Sequence, residues 1–135
     1  TAVNRFCWQA VIGQRLTVWR TALKQMRPYL HLDDAVEALV KAISAEPTNM
    51  RVLNLVSQNA TVQDIIDVIV QYGLQPDIEL VDSPIMNQLS YAVDRSAAEM
   101  LGYSFAGTLE EGITSTLDLL GDLQYRRPET RQGAR

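Results

Sequence analysis

Apolar residues recur along this chain at helical spacing in some stretches and at strand spacing in others. Val3, Phe6, Cys7, Ala10 and Val11 share one face of a helix over residues 2–12, and Gly13 follows where a left-handed terminating residue is least strained. Leu16 to Trp19 is a short β-prone run and Arg27 to Leu32 is another. The polar stretch between them suits a turn or an ordered binding loop. Asp33 and Asp34 then open a second helix with the apolar stripe Val36, Leu39, Val40 and Ile43, its wet side carrying a Glu37–Lys41 pair, and Pro47 stops it.

Further along, Val52 to Val56 predicts an apolar strand and Ser57 to Ala60 a polar loop. Thr61 caps a helix striped by Val62, Ile65, Ile66 and Ile69 and closed at Gly73. Ile78 to Val81 and Ser90 to Val93 read as strands, and Asp94 caps a short helix ending at Leu101 and Gly102. A capping box, Thr108-Leu109-Glu110-Glu111, opens the last helix, with Ile113, Thr116, Leu117 and Leu120 on one face. Residues 124–135 carry arginines and no periodicity, so a disordered tail is expected after a single folded unit over 1–123. Alternation of helices with short strands predicts an α/β class, a small mixed α/β domain. Its apolar helices outnumber the strands that would cover them, so one surface is expected to dock on another sheet, from a second domain or chain.

Composition narrows the function classes. The 135 residues suffice to bury roughly two thirds of the unfolded surface. A hydrophobic share of 47% with 21% charged residues is ordinary globular usage. The net charge of −4 with scattered basic residues lacks the electrostatic footprint of a nucleic-acid binder. No uninterrupted apolar span of about 18 residues predicts a membrane crossing. Cys7, the single cysteine, forms no internal disulfide, which points to a reducing, cytoplasmic location. The chain starts at Thr1 and runs directly into an apolar-periodic segment, as the middle of a longer protein would.

The motifs of several chemistries are missing. The seven glycines never form the G-x-G-x-x-G turn that lets backbone approach a pyrophosphate, so no cofactor-binding residue is expected here. No tyrosine is followed by a lysine four positions on; Tyr91 is followed by Arg95. One histidine and one cysteine do not make a metal ligand set, and His31 has no Gly-x-Ser-x-Gly elbow to serve. Catalytic, cofactor and metal residues are therefore all expected to be none.

What remains is a pattern running from Phe6 to Thr116. Phe6, Ala10, Gly13, Leu16 and Val18, then Arg27, Tyr29, Leu30, Leu32 and Asp34, then Leu53, Asn54 and Leu55, then Asp94, Leu101 and Gly102, then Leu109, Gly112, Ile113 and Thr116, stand in an order and spacing that resembles the C-terminal part of the extended short-chain dehydrogenases. That family comprises NAD-dependent nucleotide-sugar epimerases, dehydratases and reductases. The resemblance implies a substrate-binding fragment of a Rossmann-type enzyme, inactive alone. The missing N-terminal Rossmann domain would carry NAD or NADP and the catalytic Tyr and Lys. A homo-oligomer is compatible with it.

By the same resemblance, Arg27 is a phosphate ligand, its guanidinium fork suited to a diphosphate; the other reading is a surface arginine paired with Asp33 or Glu37. Thr17, Val18 and Trp19 match a short strand lying against the nucleotide base, with backbone groups on its edge and an aromatic over its face; for Trp19, core or interface packing is the other reading. Asp34 is expected to cap its helix, His31 to be a satisfied histidine and Cys7 a core residue. The family often places arginines before its Tyr-Ala-x-Asp-like strand, where this chain reads Ser83-Pro84-Ile85-Met86-Asn87-Gln88-Leu89-Ser90. Asn87 is the candidate there, an uncharged donor. The run Ile85-Met86-Asn87-Gln88-Leu89-Ser90-Tyr91 is similar to some sugar-epimerase-like proteins of bacterial surface-polysaccharide pathways. Two other functions stay open, a self-standing non-catalytic binding or oligomerisation module and part of a reductase acting on a small carbonyl substrate.

Overall fold

The computed structural model describes residues 2–44, 52–82 and 90–122. Helix α1 (Ala2–Val11) ends at Gly13, whose φ of +67° is the left-handed region that a Cβ disfavours. Strand β1 (Leu16–Trp19) follows, its residues alternating inward and outward. A 3-10 turn, Arg20–Ala22, leads towards β2 (Met26–Tyr29), and α2 (Leu32–Ser44) starts three residues after that strand. Next come β3 (Gln58–Thr61), α3 (Val62–Gln71), β4 (Ile78–Val81), α4 (Ser96–Met100) and α5 (Leu109–Asp122).

Two small sheets result. β1 pairs parallel with β4, with Leu16 opposite Ile78 and Trp19 opposite Val81. β2 pairs antiparallel with β3, with Met26 opposite Thr61 and Tyr29 opposite Gln58. The core forms where α1, α3 and α5 meet β1: Phe6, Cys7, Leu16, Val18, Ile65, Ile66, Ile69, Leu109, Ile113 and Leu117 all lie inside. The stripes expected on α1, α3 and α5 are thus the buried ones, and the class is the small mixed α/β architecture expected.

Both expected threonine caps are present. Thr61 Oγ1 accepts the Asp64 backbone N–H at 3.1 Å and the Asp64 carboxylate accepts the Thr61 N–H at 2.7 Å. Thr108 and Glu111 repeat the arrangement at 3.1 and 3.0 Å. Thr61→Ala is expected to cost about 1 kcal/mol, read as a lower midpoint in thermal unfolding.

Other expectations fail. Val52 to Val56 is not a strand; β3 instead occupies Gln58–Thr61, within and just beyond the stretch expected as a loop. Backbone pairing, not propensity, decides: β2 offers an open edge to 58–61, and among the described residues nothing pairs with 52–56 in a ladder. The run expected as a strand from Arg27 to Leu32 stops at Tyr29. Ser90 to Val93 is not a strand either, because side chains replace the ladder. The Asn59 carboxamide both donates to the Val93 carbonyl, at 3.1 Å, and accepts its N–H, at 2.9 Å. Asp94 accepts from the Ser96 N–H and hydroxyl at the start of α4, although the residue at the cap position is Arg95. The stop at Pro47 and the tail 124–135 lie outside the described residues.

The largest departure is α2. Its expected inward stripe faces out, with Val36 51%, Leu39 63%, Val40 59% and Ile43 85% exposed, while Asp34 and Ala38 point inward. Lys41, expected to pair with Glu37 on the wet side, instead donates to the Gly102 carbonyl and lies 5.0 Å from the Tyr103 ring centroid.

Candidate functional site

Strand alternation sorts the candidates on β1. Leu16 and Val18 enter the core, so Thr17 and Trp19 face out, and Trp19 keeps 40% of its surface exposed. Val18 is 2% exposed, so a ligand on this strand would meet its backbone and not its side chain. Among the described residues β1 pairs with β4 alone, which leaves its second edge outside any ladder.

Arg27 sits half-buried on β2. Its guanidinium donates to the Met26 carbonyl at 2.7 Å and to the Gln25 side-chain carbonyl at 3.0 Å, and it lies 5.1 Å from the centroid of the Tyr91 ring. A backbone clasp brings Tyr91 there: the Met26 N–H donates to Ser90 Oγ at 2.9 Å and the Tyr91 N–H donates to the Met26 carbonyl at 3.2 Å. Tyr91 is 50% exposed, so a cation over an open aromatic face marks this end of β2. Gln25, Ser90 and Tyr91 were not singled out by sequence reasoning as parts of this site. Their roles depend on which segments meet at Met26, which no local pattern encodes. Asn87 lies outside the described residues.

Asp34 does not cap its own helix. It is 3% exposed, accepts from the Ser57 hydroxyl and, through its carboxylate oxygens, from the Ala106 N–H at 3.1 Å and the Gly107 N–H at 3.2 Å. Burial works to raise its pKa, but the hydrogen bonds from Ser57, Gly107 and Ala106, with the nearby His31, outweigh it and hold the carboxyl below the ordinary range. Its task is structural, as expected, yet it joins α2 to the loop before α5. Ser57 also accepts the His31 N–H at 2.8 Å, and Arg95 donates to the carbonyls of Val56 at 2.9 Å and Ser57 at 2.6 Å. His31 is a satisfied histidine, its Nδ1 accepting the Asp33 N–H at 3.2 Å and its ring lying against Gly107 and Gly112. Cys7 is wholly buried and burial pushes its thiol up to about 11, which makes it a core residue and a poor nucleophile.

The described residues do not suit a dinucleotide. A pyrophosphate needs a helix N-terminus whose N–H groups are free and reached through a glycine-rich turn. Here the carboxylates of Asp64 and Glu111 accept backbone N–H groups at the starts of α3 and α5, and Asp33 and Asp34 put negative charge into the first turn of α2. Among the described residues no group of three or more His, Cys, Asp or Glu side chains is placed to hold a metal, and no helix is long and apolar enough to cross a membrane.

No family model matches the chain. It is 34% identical over 88 residues to the chloroplastic UDP-sulfoquinovose synthase of Spinacia oleracea, a match covering 62% of this chain and 18% of that protein. Its fold matches UDP-glucuronic acid 4-epimerase from Bacillus cereus, solved with UDP-glucuronic acid and NAD, with a TM-score of 0.79 at 22% identity, over 91% of this chain and 40% of that one. It also matches the NAD complex of UDP-glucose 4-epimerase from Thermus thermophilus, with a TM-score of 0.73 at 18% identity, over 87% and 39%. A partial-consensus L-threonine 3-dehydrogenase gives a TM-score of 0.75 at 18% identity, over 89% and 42%. The chain thus spans about two fifths of the solved structures it matches and less than a fifth of the curated relative. The resemblance stated from the sequence is borne out: nearly the whole chain has the fold of part of a UDP-sugar epimerase.

Proposed function

We propose that this chain, folded as part of a UDP-sugar epimerase, is the nucleotide-sugar-binding portion of an NAD- or NADP-dependent epimerase or dehydratase whose cofactor site lies on other residues. The observation that carries the reading is Arg27. Its guanidinium is held by Gln25, by the Met26 carbonyl and against Tyr91, so little side-chain freedom remains to be lost when a diphosphate binds. Trp19, Thr17 and the Val18 backbone would then take the base, and Asn87 would add an uncharged donor to a phosphate or the sugar. This portion contributes binding energy that fixes the nucleotide and so positions the sugar; the bound cofactor supplies the hydride chemistry. A cytoplasmic enzyme of polysaccharide biosynthesis fits a lone, buried cysteine and a nucleotide-sugar substrate.

Calorimetric titration with UDP and with uridine tests this. Arg27→Ala is expected to weaken UDP by about tenfold to a hundredfold and to leave uridine unchanged, because only the phosphates meet the guanidinium. Equal effects on both ligands would place Arg27 in the scaffold. A second reading, a reductase for a small carbonyl substrate, is favoured by the L-threonine 3-dehydrogenase fold match and by the missing arginine between Ser83 and Ser90. Under that reading the wild-type chain shows no preference for UDP over phosphate.

A further inference from the structure

Residues 90–93 are joined to β2 and β3 without entering their sheet. Met26, at the start of β2, gives them both of its backbone groups: its N–H donates to Ser90 Oγ at 2.9 Å and its carbonyl accepts the Tyr91 N–H at 3.2 Å. Backbone groups two residues apart on a strand point to the same side, so the next pair available on that side belongs to position 28. The residue there is Pro28, which has no N–H to give, and a ladder does not continue past it.

Asn59 makes up the deficit. It stands opposite Pro28 in the β2–β3 register, and its carboxamide donates to the Val93 carbonyl at 3.1 Å and accepts the Val93 N–H at 2.9 Å. A carboxamide carries donor and acceptor side by side, as a peptide group does, so one side chain satisfies both backbone groups of one residue. Val93 lies two residues after Tyr91. Tyr91 is thus held from both directions, at Met26 and at Val93, and its half-exposed ring lies 5.1 Å from the Arg27 guanidinium carbon.

We propose that Asn59 is a positioning residue of the nucleotide site: by holding Val93 where Pro28 cannot, it keeps the Tyr91 ring against Arg27 and the guanidinium in the orientation that receives a phosphate. The proposal rests on the reading of Arg27 as a phosphate ligand. Gln25 and the Met26 carbonyl also hold that guanidinium, through bonds that Asn59 does not touch. Loss of Asn59 therefore loosens Arg27 without releasing it, and the ordering it no longer supplies falls to the ligand. Beyond Val93 the chain stays attached, because Arg95 donates to the Val56 and Ser57 carbonyls and the Asn54 carboxamide donates to the Asp94 carbonyl at 3.2 Å.

Calorimetric titration of the 135-residue chain with UDP and with uridine, together with NMR of the arginine side chains, tests this. Asn59→Ala is expected to weaken UDP by about threefold to tenfold and to leave uridine unchanged. Tyr91→Leu is expected to do the same, and Tyr91→Phe, which keeps the ring, to retain the affinity that Tyr91→Leu loses. In the Arg27→Ala background neither Asn59→Ala nor Tyr91→Leu is expected to weaken UDP further. The Nε–H resonance of Arg27, assigned by its disappearance in Arg27→Ala, is expected to lose its ring-current shift in Asn59→Ala and in Tyr91→Leu alike. Asn59→Thr, β-branched and suited to a strand, repeats the test if the alanine variant does not fold. An Asn59→Ala chain that binds UDP as wild type does, or that loses UDP and uridine equally, would overturn the inference, since either result makes Asn59 part of the scaffold alone. A wild-type chain with no preference for UDP over uridine would overturn the nucleotide reading and this inference with it. Selective loss of UDP in Arg27→Ala with Asn59→Ala unaffected would leave that reading standing and remove only the role of Asn59.

Discussion

Asp34→Asn is expected to destabilise the chain by about 3 kcal/mol, a fall of roughly 10 °C in thermal midpoint. The carboxylate accepts from one hydroxyl and two backbone N–H groups while 3% exposed. A carboxamide has one acceptor oxygen in place of two and no charge, so it satisfies fewer of those donors and leaves others buried without partners. The effect spans a long stretch of chain, because α2, Ser57 and the loop before α5 all meet at this one carboxylate.

The pH dependence follows from the direction of the shift. The folded-state pKa of Asp34 lies below its unfolded value, so the unfolded chain binds the proton more readily. Its contribution is therefore complete above the ordinary aspartate range and is lost as pH falls through the depressed folded value. Asp94 and Glu111, both lowered by hydrogen bonds from Ser96 and Thr108, add loss of the same sign. Chemical denaturation measured between neutral and acid pH is expected to show a shallower fall for Asp34→Asn than for wild type. Parallel profiles would mean that Asp34 is not depressed.

Gly107→Ala is expected to cost about 2 to 3 kcal/mol, because a methyl group there has nowhere to go. A Cβ at this position would overlap Cβ and Cγ of His31 and stand 2.8 Å from its Nδ1. The Cβ of His31 is fixed by the backbone between β2 and α2, so side-chain rotation alone does not relieve the overlap. The same glycine N–H donates to Asp34, and any backbone shift that makes room lengthens that bond. Thermal unfolding of Gly107→Ala, His31→Ala and the double variant checks the cause. Removal of the imidazole is expected to recover part of the loss through Cγ and Nδ1, giving a non-additive cycle. Additive losses would locate the cost elsewhere, in backbone entropy or in the Asp34 bond.

The elements legible from the chain are those whose determinants are local. The Thr61 and Thr108 caps, the left-handed Gly13 and the stripes of α1, α3 and α5 each depend on residues within a few positions of one another, and all are present in the structure. The strands expected at 52–56 and 90–93 are absent because a strand exists only with a partner. β2 takes 58–61 as its partner, and the Asn59 side chain takes the place of a ladder at Val93. For the candidate site, the family resemblance implied base contacts at Trp19 and a phosphate contact at Arg27. Neither the hold of Gln25 and Tyr91 on the guanidinium nor the burial of Val18 follows from spacing.

The sequence by itself determined the mixed α/β class, the helix starts, the buried faces of three helices and the resemblance to nucleotide-sugar enzymes, since periodicity, caps and residue order are properties of the chain. Only the tertiary structure decided which way α2 faces and what Asp34 does. A hydrophobic stripe shows that a helix has an apolar side, but not whether this chain is what that side meets. The carboxylate of Asp34 settles the orientation by drawing donors from positions 57, 106 and 107, a convergence that only the folded chain brings about.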